Sequence, residues 1–144
     1  MASNFTNVLK NSNKGKFHVL DASIPKSKYI PLDVSESNIE LQKINTASSS
    51  HFSKYITSYL KKHNAIVAYG GYLEVRTIYN RSSHFNDDVS EKRNIHLGID
   101  LWCDAKTVIY TPLDAEVHSF KNNTNYGDYG PTLILKHSIS GVEF

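Results

Sequence analysis

Ile66-Val67-Ala68-Tyr69-Gly70-Gly71-Tyr72-Leu73-Glu74-Val75-Arg76-Thr77-Ile78-Tyr79 is the segment that decides the fold, because the chain changes here from helical to strand character. Its β-branched and aromatic residues fit a pleated surface. Three later segments, residues 106–110, 115–120 and 132–137, also predict short strands, and residues 121–131 predict a long hairpin connection. The sequence therefore predicts a mainly β (α+β) fold with an antiparallel sheet of short strands.

One amphipathic helix is predicted before this segment, over about residues 50–63. Its apolar residues recur at the i, i+3, i+4, i+7, i+8 spacing of one helix face, and they are Phe52, Tyr55, Ile56, Tyr59 and Leu60. Ser49 or Ser50 is expected to cap the helix and Asn64 to end it. Residues 1–50 are polar and predict an irregular N-terminal arm, which leaves residues 51–144 as the domain.

Composition narrows the classes of protein to be considered. A chain of 144 residues suits one compact domain, and its 21% charged residues and net charge of +2 do not indicate nucleic-acid binding. One cysteine, Cys103, excludes an internal disulfide framework and a Cys-rich zinc cluster, so a metal would need nitrogen and oxygen ligands. No signal peptide and no membrane span are apparent, and a cytoplasmic location is expected.

A histidine and an aspartate stand four residues apart in the apolar run Ile95-His96-Leu97-Gly98-Ile99-Asp100-Leu101-Trp102. On a straight strand these two side chains would be roughly 13 Å apart, too far to share an ion. A bend at Gly98, which has the conformational freedom for one, would bring them together at a metal. The alternative is that His96 and Asp100 hydrogen-bond to each other or to the backbone at a strand end.

Three blocks of sequence resemble the opening of the lysostaphin-type zinc metalloendopeptidases, and their order and spacing agree with that family. They are His96-Leu97-Gly98-Ile99-Asp100-Leu101-Trp102, Thr107-Val108-Ile109-Tyr110-Thr111-Pro112-Leu113-Asp114-Ala115-Glu116-Val117 and Tyr126-Gly127-Asp128-Tyr129-Gly130-Pro131-Thr132-Leu133-Ile134-Leu135-Lys136-His137. Upstream, Tyr69-Gly70-Gly71-Tyr72-Leu73-Glu74-Val75-Arg76 resembles the lead-in of one branch of the family. Residues 71–137 are therefore expected to be the front part of such a peptidase domain.

The resemblance implies a zinc ion held by His96 and Asp100 and a third ligand from a later His-x-His motif. It also implies catalytic histidines in that motif and in a Tyr-x-His-Leu segment. Neither motif is present, so these groups are expected beyond Phe144, and the chain as given is expected to lack its catalytic residues and to be inactive. The implied reaction is hydrolysis of a peptide bond, in peptidoglycan or another peptide, with zinc polarising the carbonyl and activating water.

Several roles stay open at this level. His118 and His137 alternate with strand residues and are expected at the edge of a core rather than in the empty ligand roles, and substrate-binding residues are not assigned. Cys103 is expected to be an inert thiol. The rival interpretations are a noncatalytic β-sheet binding or interaction module and a metal-free structural fragment. Missing C-terminal strands would leave an exposed sheet edge, through which the chain could self-associate.

Overall fold

A computed structural model of the chain describes residues 2–12, 17–76, 94–125 and 128–144. Its contacts divide the chain into two compact units. The middle unit is Ile24–Thr107, and the terminal unit combines Met1–Ser23 with Val108–Phe144. In the described ranges there are eight strands, and the α-helices are α1 (Ala2–Ser12), α2 (Ile39–Gln42) and α3 (Ser49–Lys62). The prediction of a mainly β fold is confirmed, with two more helices than expected.

The middle unit is built on two small sheets. Its strands are β1 (Tyr29–Pro31), β2 (Val67–Gly70), β3 (Glu74–Val75), β4 (Ile95–His96) and β5 (Asp100–Trp102), and a 3₁₀ turn at Lys26–Lys28 precedes β1. The first sheet has the order β1-β2-β5, with β1 parallel and β5 antiparallel to β2. In the second sheet β3 and β4 are antiparallel, with Glu74 opposite His96. Within the segment of predicted strand character, residues 67–70 and 74–75 form strands, and residues 77–79 lie outside the described residues.

The core of the middle unit lies between α3 and β2. Val67 and Ala68 on β2 are fully buried, and Ala68 packs in one cluster with Ile56 and Leu60 from α3. This is the packing role that the apolar face of the helix predicts. The expected cap was wrong, because the Ser48 side chain, not that of Ser49 or Ser50, accepts a hydrogen bond from the His51 amide at 3.4 Å. The helix begins one residue earlier than predicted.

The end of the helix agrees better with the prediction. α3 ends at Lys62, and Asn64 follows with φ of +52°. Asparagine tolerates this left-handed conformation more readily than most residues, and it commonly follows the end of a helix.

The expected division at residue 50 does not coincide with the two units. Strand β1 pairs with β2, and Leu32, Val34 and Leu41 belong to the same core cluster as the helix α3. Residues 24–50 belong to the middle unit, where Leu32, Val34 and Leu41 are buried. The polar segment of residues 80–90, which includes His84, lies outside the described residues.

The terminal unit contains the predicted hairpin. Its strands are β6 (Ala115–Asn122), β7 (Pro131–Ile139) and β8 (Val142–Glu143), in the order β6-β7-β8 with antiparallel pairing. The strands expected at 115–120 and 132–137 are confirmed, and α1 contacts β7.

The strand expected at residues 106–110 was wrong. Lys106 has a φ of +69°, outside the strand region, and the Tyr110 amide bonds to the Val19 carbonyl rather than to a neighbouring strand. None of the helices in the described ranges is long and apolar enough to span a bilayer.

Candidate metal centre

The His96 and Asp100 side chains lie side by side in the middle unit. His96 is the last residue of β4, Asp100 is the first residue of β5, and residues 97–99 between them belong to neither strand. His96 Nε2 is 3.6 Å from Asp100 Oδ1. The chain therefore bends between them as expected, instead of separating them by the roughly 13 Å of a straight strand.

Gly98 permits this bend for a reason that differs from the predicted one. The glycines with left-handed φ in the described residues are Gly71, Gly130 and Gly141, so Gly98 does not use the conformational freedom that only glycine has. A Cβ at position 98 would instead lie 3.1 Å from His96 Nε2, closer than ordinary van der Waals contact. The absence of a side chain at Gly98 leaves room beside the atom of His96 that faces Asp100.

The ring of His96 is oriented by the backbone. His96 Nδ1 is 3.0 Å from the Gly71 carbonyl oxygen, which can only accept a hydrogen bond. Nδ1 therefore carries the proton, and in the neutral ring Nε2 presents its lone pair on the side of Asp100. A histidine that binds a metal through one ring nitrogen usually donates a hydrogen bond from the other ring nitrogen, often to a backbone carbonyl.

Gly71 is itself constrained by its surroundings. Its φ is +98°, and a Cβ there would lie 2.0 Å from Arg76 Nη2 and 2.7 Å from His96 Nδ1. Its carbonyl also accepts from the Glu74 amide at 3.1 Å, which closes a tight turn before β3. Only glycine fits where this turn, the imidazole and the guanidinium meet.

Arg76 and Glu74 complete the centre, although they are not among the site residues predicted from the sequence. Arg76 Nε is 2.6 Å from Glu74 Oε2, and Arg76 Nη1 is 2.7 Å from Asp100 Oδ2. The Arg76 side chain is only 7% exposed. Burial acts to lower the pKa of Arg76, but the hydrogen bonds and negative charges of Glu74 and Asp100 outweigh it and raise that pKa.

The signal for this pair is present in the sequence. Glu74 and Arg76 are two residues apart at the start of an apolar segment, so on a strand they share one face. Two opposite charges on one face of a short strand are a candidate buried ion pair. Their third partner, Asp100, is brought near them by the pairing of β2 with β5 and of β3 with β4.

The distance between His96 and Asp100 bears on whether the two side chains bind a metal or hydrogen-bond to each other. At 3.6 Å, Nε2 and Oδ1 are too far apart for a direct hydrogen bond. Zinc binds nitrogen and carboxylate oxygen at about 2.0 to 2.2 Å, so two tetrahedral ligands stand about 3.4 Å apart. The observed separation is close to that value, so the residues present fit two ligands of one zinc ion.

No further ligand joins this pair in the parts of the chain that the structure describes, where no three His, Cys, Asp or Glu residues are grouped to hold a metal ion. His118, expected at a core edge, is exposed, with Nδ1 at 3.1 Å from Ser119 Oγ. His137 is half-buried, stacks on Phe144 and has Nδ1 at 3.1 Å from the Asp114 carbonyl oxygen. Cys103 is a free, half-buried thiol.

Comparison of the chain with protein-family models, with curated proteins and with solved structures finds no match. The resemblance to the lysostaphin-type peptidases therefore stays a prediction that depends on the residues quoted above.

Proposed function

We propose that His96 and Asp100 are two ligands of the zinc ion of a lysostaphin-type metalloendopeptidase, which hydrolyses peptide bonds in peptidoglycan. The observation that carries the proposal is the 3.6 Å separation of His96 Nε2 and Asp100 Oδ1, with the other ring nitrogen, Nδ1, bonded to a backbone carbonyl. The substrate class follows from the resemblance of the three sequence blocks.

The charge of the centre supports a cation. Two carboxylates, Glu74 and Asp100, surround one guanidinium, that of Arg76. Glu74 alone would balance Arg76, so with a neutral His96 the cluster has one net negative charge. The Asp100 side chain is one-third exposed, and its Oδ1 lies on the side of His96. A negative charge next to an imidazole nitrogen is suited to a divalent metal ion.

Each residue has a limited role in the proposed reaction. A zinc ion bound here would polarise the carbonyl of the peptide bond and lower the pKa of a bound water. His96 is held at Nδ1 by Gly71 with Nε2 on the side of Asp100, and Asp100 supplies one oxygen and negative charge. Catalytic zinc commonly has three protein ligands, so a site with these two alone should bind the ion more weakly than a complete one. No residue is assigned as the general base.

Zinc binding tests the proposal directly. Calorimetric titration of the 144-residue chain with Zn²⁺ should give a dissociation constant of about 1 μM or tighter, which corresponds to about 8 kcal/mol. A His96→Ala, Asp100→Ala double variant should lose this binding. Far-UV circular dichroism establishes that both proteins are folded.

His137→Ala is the matched control, since His137 also has Nδ1 beside a backbone carbonyl. His137 forms no ion pair with a carboxylate among the described residues. The His137→Ala variant should therefore bind zinc as the wild type does. A folded wild-type chain that does not bind Zn²⁺, or a double variant that binds it equally well, would sink the proposed centre.

An interaction module is the second candidate, and the β6-β7 hairpin favours it. Phe120 and Leu133 are directly opposite in the register, and they are 80% and 58% exposed. Exposed apolar pairs of this kind on a sheet commonly mark a protein contact, here between copies of the chain.

Sedimentation equilibrium of the wild type and of Phe120→Thr tests this candidate, with Ile109→Thr as an exposed control outside the strands. Self-association that is lost only in Phe120→Thr supports it. A wild-type chain that stays monomeric at high concentration contradicts it.

A further inference from the structure

Arg76 holds one oxygen of Asp100 while the other oxygen faces His96. Arg76 Nη1 is 2.7 Å from Oδ2, and His96 Nε2 is 3.6 Å from Oδ1. A short charge-assisted hydrogen bond to one oxygen of a carboxylate restricts its rotation and so limits the directions in which the second oxygen can point. The position of Oδ1 thus depends on the guanidinium.

The guanidinium is itself fixed from the core. Glu74 Oε2 accepts from Arg76 Nε at 2.6 Å, and Glu74 Oε1 accepts from the Val34 amide at 2.9 Å. Val34 is buried in the core of the middle unit. A chain of hydrogen bonds therefore runs from Val34 through Glu74 and Arg76 to Asp100.

The remaining nitrogen of Arg76 shows how closely this side chain is enclosed. Nη2 is buried and has no hydrogen-bond partner among the described residues, and it lies where a side chain at Gly71 would be. Leaving a buried donor unpaired is unfavourable, so the arrangement is not the one that stability alone would favour.

We propose that Arg76, anchored by Glu74, is a positioning residue that turns Asp100 to bind zinc through Oδ1 alone. The inference rests on the proposed zinc site and adds the residues that determine its geometry. Arginine suits the task because its planar fork reaches two carboxylates at fixed angles and stays charged at every relevant pH. Lysine has one compact ammonium group and cannot keep both contacts in this geometry.

The test compares wild type, Arg76→Lys and Glu74→Gln by titration with Zn²⁺ and with Co²⁺. Loss of the second-sphere support of a metal ligand commonly lowers affinity 10–100-fold, and we expect a decrease of about that size in both variants. At saturating Co²⁺ the visible spectrum of both variants should also differ from that of the wild type, because Asp100 becomes free to bind through both oxygens.

Two controls separate positioning from stability. Lys43→Gln breaks the exposed Lys43–Glu40 pair of the same unit and should leave the affinity and the spectrum unchanged. Urea unfolding shows what fraction of each variant is folded, so that affinity is compared between folded proteins. A purely structural role for Arg76 would lower stability but leave the spectrum of the folded, cobalt-saturated protein as in the wild type.

The outcomes are distinguishable. A wild type that binds metal, with folded variants that bind equally well and give the same Co²⁺ spectrum, overturns the role of Arg76 and leaves the zinc site standing. A folded wild type that binds neither metal overturns both. Weaker binding and an altered spectrum in both variants, with Lys43→Gln unchanged, is the expected result.

Discussion

Arg76 Nη1 contacts Asp100 Oδ2 at 2.7 Å, although Arg76 directly follows β3 of one sheet and Asp100 begins β5 of the other sheet of the middle unit. This contact joins the β3-β4 pair, which ends at His96, to the β1-β2-β5 sheet, which supplies Asp100. Each proposed ligand therefore comes from a different sheet. The distance between the ligands depends on this connection as well as on the bend at residues 97–99.

Gly71→Ala should be strongly destabilising. The new Cβ would lie 2.0 Å from Arg76 Nη2, which is itself enclosed, so the ion pairs of Arg76 would have to shift. Urea unfolding monitored by circular dichroism gives the free energy of unfolding. Gly141→Ala is the control, because Gly141 also has a left-handed φ, +77°, but nothing within 4 Å. We expect Gly71→Ala to cost about 1–3 kcal/mol more than the control. Equal losses would contradict the crowded geometry at Gly71.

Gly98→Ala should affect zinc binding more than stability. The added methyl group would lie 3.1 Å from His96 Nε2, beside the proposed ligand atom, but the φ of Gly98 is not left-handed. Overpacking of this kind costs about 1–3 kcal/mol, which we expect as lost binding free energy in a Zn²⁺ titration. Gly130→Ala should show the opposite result, lower stability with unchanged affinity, because Gly130 has φ of +70° and open space around it. Unchanged affinity in Gly98→Ala would show that Nε2 is not the ligand atom.

Local sequence patterns predicted the elements whose contacts are local. The α3 helix follows from the spacing of its apolar residues, and the β6-β7 hairpin follows from two strand-like segments around a turn-rich connection. Residues 106–110 have equal strand propensity but do not form a strand, and Val108 and Ile109 are exposed. Strand propensity is expressed only where a neighbouring strand is available, and the sequence of the segment does not show whether one is.

The candidate site was predictable only in part for the same reason. His96 and Asp100 are close in sequence, so their spacing was enough to require a bend. Arg76 is joined to Asp100 by the pairing of distant strands, and no local pattern specifies which strands pair. The sequence predicts conformational freedom as the role of Gly98. It does not show that the His96 ring lies beside Gly98, because that contact belongs to the tertiary structure.

Leu73→Asn should stabilise the protein. Leu73 has φ of +58°, a conformation that costs a bulky residue about 1–2 kcal/mol and that asparagine adopts more easily. Its side chain is 58% exposed, so little apolar burial is lost. We expect a gain of about 1 kcal/mol in the free energy of unfolding. Leu97→Asn, at an exposed leucine with ordinary φ, should change stability by less than about 0.5 kcal/mol. A loss of stability in Leu73→Asn would mean that the leucine side chain itself stabilises the turn.

Tyr59 should make the stability of the middle unit sensitive to alkaline pH. Its hydroxyl donates a hydrogen bond to the Pro31 carbonyl at 2.9 Å and thereby joins α3 to β1. Burial, together with the charges of Tyr55 and Asp33, raises the pKa of Tyr59 above its usual value of 10.0. The neutral hydroxyl is therefore favoured in the folded state, as it must be, because a phenolate cannot donate to a carbonyl oxygen.

The direction of the pH dependence follows from this raised pKa. The stabilisation by Tyr59 should be fully present below pH 10.0 and should be lost as the pH rises through the higher pKa of the folded state. At pH 7, Tyr59→Phe should cost about 0.5–1.5 kcal/mol, the usual contribution of one hydrogen bond. The difference between wild type and Tyr59→Phe should shrink in urea unfolding at increasing alkaline pH. Tyr72→Phe, at an exposed tyrosine, supplies the control with no such difference at any pH. A Tyr59→Phe difference that is constant across this range would show that Tyr59 titrates equally in the folded and unfolded states.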